Sequence, residues 1–132
     1  MTRLAGVFAL LAGLGFGVPS VFGVLHFAST GQVWQFMGFP TYGDGPFVRV
    51  GLTTSVLLLL GFVVVCAAEV VVGLSLVAGW ATALWIQFAL LPFELAYWWG
   101  FGLPFGFVFG AARVAVAVLA LTRGRVNRTN PT

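Results

Sequence analysis

From Val48 to Trp99 the chain runs for about 50 residues with three charged side chains, Arg49, Glu69 and Glu94, whereas one membrane crossing takes roughly 20 apolar residues. This run leaves little choice of fold. It is too apolar to face water and too long for one crossing, so it reads as two helical spans with a turn between them. The turn falls at "VAGWAT" (Val77 to Thr82), where Gly79 permits the reversal and Trp80 suits a membrane interface.

The rest of the chain follows the same pattern. Of 132 residues, 61% are hydrophobic and 7% are charged, against about a quarter charged in a soluble domain. The fold class is therefore an all-α polytopic membrane protein, a four-helix bundle with short loops. The expected spans are residues 4–25, 50–77, 80–98 and 105–121, within a single domain over 1–123. Pro92 is expected to kink the third span.

The basic residues are all arginines: Arg3, Arg49, Arg113, Arg123, Arg125 and Arg128. Those near the termini place both ends in the cytoplasm by the positive-inside rule, with 124–132 as a basic tail. Trp34, Tyr97, Trp98 and Trp99 then mark the outer interface and Trp80 the inner one. The arginine cluster suits anionic lipid at the bilayer surface and does not suit nucleic acid. The lack of lysine, with abundant Ala, Gly, Val and Arg, points to a GC-rich bacterial genome and hence to the bacterial plasma membrane.

Function classes can be excluded by count. Cys66 is the only cysteine and His26 the only histidine. Intrachain disulfides, a CxxC redox pair, thiolate metal sites and bis-histidine haem ligation are all ruled out, and no metal site is expected.

The outer loop, 26–49, is the one sizeable segment between spans. Ser29 or Thr30 is expected to cap a short helix from Gln32 to Met37, and "FPTYGDGP" reads as turns. The loop serves either as an interfacial linker or as a lid over the bundle. "NRT" at Asn127 matches a glycosylation pattern that has no role in a cytoplasmic tail.

Helices in lipid associate through close packing and polar contacts. Gly6, Ala9, Gly13, Gly17 and Ser20 form a small-residue stripe on the first span. Gly102, Gly106, Gly110, Ala117 and Ala120 form another on the fourth. Arg113 shares the second stripe, so it points into the bundle or at a partner.

Charge inside a span is costly and marks a candidate site. Arg113 stands about 15 Å below Arg123, and Glu69 about 14 Å from the turn. The matching depth predicts a buried Glu69–Arg113 pair, with Gln87 near the same level. Glu94, on the Gln87 face, is expected nearer the outer end. There His26 would reach it, with Asp44, Gln32 and Gln35 as neighbours. The buried pair has three readings: a device that fixes helix register, a site for a ligand or redox partner, or part of a proton or ion path.

"AEVVVGLSLVAGWATALWIQFAL" (Ala68 to Leu90) resembles the second-to-third-span region of DoxX-like membrane proteins. Glu69, Gly73 and Gly79 stand at the matching positions, and the loop "GFP" and glycine-rich first span are similar. Trp80 and Ala81 replace the basic residue that often follows the turn glycine in that family. The resemblance implies a four-helix bundle with both termini inside, linked to membrane redox complexes and to quinone as a cofactor. It gives an accessory subunit of a redox or stress-response system, with a redox protein as partner. The aromatic outer half, Trp34, Phe36, Phe93, Tyr97 and Trp98, is compatible with such a planar lipophilic ligand. The residues leave two other classes open. One is a binder or enzyme for a lipophilic substrate, with Glu69, Glu94 and His26 lining an intramembrane pocket. The other is a small transporter working as a homo-oligomer.

Overall fold

The computed structural model describes residues 1–36 and 38–129. Met37 and the last three residues of the basic tail lie outside the described residues. The order is α1 (Thr2–Thr30), β1 (Gln35–Phe36), β2 (Phe39–Pro40), α2 (Pro46–Arg49), α3 (Val56–Val77), α4 (Ala83–Gly100) and α5 (Pro104–Thr129). Three helical stretches are long and apolar enough to cross a membrane: Thr2–Thr30, Val56–Val77 and Phe105–Arg123. α4 is an 18-residue helix that carries Gln87, Pro92 and Glu94 and continues through the proline.

Local chemistry explains the boundaries. The α3–α4 reversal comes at Gly79 (φ 97°) and the α4–α5 reversal at Gly102 (φ 66°), a conformation that costs a side chain more than glycine. α3 starts six residues later than the apolar run suggests. Its N-cap is Ser55, whose side chain accepts a hydrogen bond from the Leu58 N–H at 3.2 Å.

The linker between α1 and α3 differs from expectation. In place of a helix after Gln32 there is an antiparallel hairpin, with Gln35 opposite Pro40 and Phe36 opposite Phe39. Ser29 and Thr30 do not cap a new helix. Their hydroxyls donate to the His26 carbonyl, satisfying the last turn of α1.

The four long helices close a ring. α1 packs most extensively on α3, α3 on α4, α4 on α5, and α5 back on α1. α3 and α5 are therefore diagonal. One end of the bundle holds the start of α1, the late turns of α5 and the α3–α4 turn. The other holds the hairpin, α2 and the α4–α5 turn.

Glycine sets the α1–α3 spacing. A Cβ at Gly6 would lie 2.7 Å from the Gly73 carbonyl oxygen, and one at Gly13 2.9 Å from a Val70 methyl. Gly17 packs on Cys66 in the same way, at 3.0 Å. The small stripe of α1 thus lets the two backbones meet.

The core has two parts. Near the hairpin it is largely aromatic, built on Tyr42, Phe62, Trp98 and Phe101 with Leu59 and Cys66. Near the termini it is aliphatic, built on Ala5, Val72, Leu76, Leu84 and Ala117.

Candidate polar site in the bundle core

Glu69 follows Cys66 and precedes Val72 on the buried face of α3, so it sits where the aromatic core gives way to the aliphatic one. Arg113 occupies the same boundary on α5, between Gly110 and Ala117. The small neighbours leave room for the arginine to reach inward. It is 1% exposed, among the largest fully buried side chains.

The guanidinium joins three helices. Its Nη1 meets Oε1 of Glu69 across the diagonal as an ion pair, without the geometry of a directional hydrogen bond. Its Nη2 donates to Oε2 of Glu94 on the neighbouring α4. A planar fork with several donors suits two carboxylates at once, which an ammonium does less well. The guanidinium carbon also lies 6.0 Å from the centroid of the Trp98 ring, a cation–π arrangement.

Glu94 therefore belongs to this cluster and not to an outer cluster with His26. The reason is helix register. α4 starts at Ala83 and runs to Gly100, so Glu94 lies eleven residues in, about 16 Å along the axis. That is the level of Arg113, whose long side chain closes the remaining gap. Among the described residues His26 makes no ion pair; it is half-buried near the end of α1. Asp44 is exposed in the loop, with φ 53°. It does share a polar cavity of about 520 Å³ with Gln32 and Gln35.

Gln87 is 3% exposed on the same face of α4 as Glu94. Neither its carboxamide oxygen nor its nitrogen has a hydrogen-bond partner among the described residues, and the same holds for Glu94 Oε1 and Arg113 Nε. By the same count Gln87 lies only four residues into α4, about 10 Å of rise from Glu94, so it is not at the level of the pair, contrary to expectation. Buried polar groups are usually paired, and these atoms are unused donor and acceptor capacity.

The three aromatic candidates separate. Trp98 is a core wedge, 1% exposed. A Cβ at Gly106 would lie 2.6 Å from its Cδ2, and one at Gly110 2.5 Å from its Cζ3. The small stripe of α5 is thus a slot for this indole. Tyr97 borders a cavity of about 390 Å³ with Ser55 and Leu58. Trp34 lines an apolar cavity of about 350 Å³ with Phe16, Phe22, Phe36 and Leu103. Phe36, Thr41 and Leu103 also line a larger cavity of about 790 Å³ that extends to Phe101 and Phe105.

Tyr42 is a residue the turn pattern concealed. It is 3% exposed, and its hydroxyl donates to the Phe16 carbonyl at 2.9 Å. Its ring packs against Phe62 and Phe101, so it pins the loop to the bundle. Burial pushes its phenol well above the ordinary value, and the Cys66 thiol adds to the shift. The only hint in the sequence is a lone aromatic inside a Gly/Pro-rich turn.

No protein-family model, no curated protein and no solved structure matches the chain.

Proposed function

We propose that the chain is a four-span protein of the bacterial plasma membrane, with both termini in the cytoplasm, that binds a planar lipophilic ligand of the quinone or lipid class. In this reading it is a DoxX-like accessory subunit of a membrane redox or stress-response system. The observation that carries it is the pair of adjoining apolar cavities at the hairpin end, which share Phe36, Thr41 and Leu103. Their volumes, about 350 and 790 Å³, are those of small-molecule sites. Aromatic walls suit a flat ring, and Thr41 and Asp44 offer polar edges.

Four spans require α4 to cross despite Gln87 and Glu94. Its 18 residues span about 27 Å, close to the hydrocarbon thickness. Its buried carboxylate is matched by Arg113, and its outward face carries Trp85, Ile86, Phe93 and Leu95. A helix whose polar residues face a partner inside the bundle can be accommodated in lipid.

The test is purification in mild detergent, followed by mass spectrometry of the organic extract. The reading predicts a near-stoichiometric quinone or lipid. Trp34→Ala or Phe36→Ala should each lower its retention roughly two- to ten-fold, since a stacked aromatic contributes about 0.5–1.5 kcal/mol. A wild-type protein that retains no ligand, or retention unchanged by both substitutions, contradicts it.

A further inference from the structure

We propose that the Glu69–Arg113–Glu94 cluster is a proton-binding site, in which two carboxyls share one exchangeable proton across a single guanidinium. Two carboxylates approach two different nitrogens of one arginine. Arginine keeps its charge in proteins, so the ionised cluster sums to −1.

Nothing else among the described side chains supplies the missing positive charge. α1 carries one charged residue, Arg3, exposed at the terminal end, and its His26 is half-buried at the other. α3 contributes the Cys66 thiol, one turn before Glu69. α4 contributes Gln87, Trp98 and the half-buried Tyr97, none of them cationic. The next described charge on α5 is Arg123, which is exposed. Tyr42, a buried loop residue, donates its hydroxyl to Phe16. Asp44 and Arg49 lie exposed at the hairpin end.

An uncompensated charge in a packed interior is strongly unfavourable. One proton removes it without moving a side chain. The geometry provides two seats, because each carboxyl already meets one arm of the guanidinium. Glu94 Oε1 is unpartnered, and so is the carboxamide of Gln87, which is 97% buried on the Glu94 face of α4. A register-fixing ion pair needs one acid. The second acid, with an unpartnered oxygen of its own, is what a proton site adds. This inference depends on burial of the cluster and not on the lipophilic ligand.

Infrared spectroscopy of the full chain in lipid tests it. The sequence has three acidic side chains, Asp44, Glu69 and Glu94, so a protonated-carboxyl C=O band is assignable. At neutral pH the wild type should show this band, with a downshift in heavy water. Asp44→Asn should leave it intact. Glu69→Gln and Glu94→Gln should each abolish it, because each leaves a neutral pair of one acid and one arginine. A wild type without the band overturns the proposal, as does a band that survives either glutamate substitution. If those variants do not fold, a hydrophobic carbodiimide, which attacks the protonated carboxyl, is applied to wild-type membranes. Adducts on Glu69 or Glu94 support a shared proton; no adduct, or adduct on Asp44 alone, overturns it.

Discussion

Gly110→Ala adds one methyl group at the wall of the slot that holds Trp98. The new carbon would lie 2.5 Å from Cζ3, 3.0 Å from Cη2 and 3.6 Å from Cε3 of the indole. Carbon atoms pack best at about 3.5–4.0 Å, so the ring or the helix must give by about 1 Å. The indole has little room to retreat. It is 1% exposed, and the Phe16 ring stands 6.1 Å away, centroid to centroid. Retreat would also disturb the Arg113 contact. Overpacking of this kind costs about 1–3 kcal/mol, while alanine for glycine inside a helix returns about 1 kcal/mol. Gly15→Ala is the matched control, since nothing lies within 4 Å of a Cβ there. The two variants should differ by about 1–3 kcal/mol, with Gly110→Ala the less stable. In a Trp98→Phe background the penalty at Gly110 should fall by about 1–2 kcal/mol, a coupling typical of residues in contact. Equilibrium unfolding by sodium dodecyl sulfate in mild-detergent micelles, followed by far-ultraviolet circular dichroism, measures all of these. Equal effects at Gly110 and Gly15, or an effect independent of residue 98, would refute the packing argument.

Two other substitutions probe the core in the same assay. Arg113→Ala should cost about 3–5 kcal/mol, because it leaves a buried negative charge without a counter-ion. Exchanging the pair, Glu69→Arg with Arg113→Glu, should recover only part of that, since Glu94 then faces a carboxylate; adding Glu94→Gln should recover more. Full recovery by the exchange alone would remove Glu94 from the cluster. Tyr42→Phe should cost about 1 kcal/mol near neutral pH through the lost bond to Phe16. With the phenol's folded pKa raised, the stability it contributes is present below about pH 10 and declines as pH rises beyond it. The variant should therefore lose less stability in alkali than the wild type, and parallel losses would contradict the burial of this hydroxyl.

Much of this arrangement is legible in the sequence, and the misreadings have physical causes. Apolar runs and glycine breaks fix the long helices and both reversals, since hydropathy and turn chemistry act locally. Depth counting brings Glu69 and Arg113 to one level because both lie on helices with a marked end. Glu94 is misplaced by the same count. Taking span three to begin at Trp80 and end at Trp98 shifts the residue outward, and the count ignores the reach of an arginine side chain. The hairpin at Gln35–Pro40 is missed because six residues with a serine and threonine before them look like a capped helix. Those hydroxyls turn back onto the His26 carbonyl instead. Trp98 reads as an interface aromatic because nothing in its own segment reveals the slot that Gly106 and Gly110 form on α5. The seat of Tyr42 depends on tertiary contacts with α1 and α3, which leave no periodic trace.

The account turns on α4 being a membrane span, and the sidedness of the two termini tests that most directly. Three helices are long and apolar enough to cross by themselves. If only those cross, the termini lie on opposite faces. If α4 crosses too, its Glu94 matched inside the bundle by Arg113, the termini lie on the same face. Reporter fusions at each end, one active only in the cytoplasm and one only outside it, separate the cases. The account predicts cytoplasmic signal from both termini; a C-terminal reporter active only outside the cytoplasm, with the N-terminus inside, would contradict it.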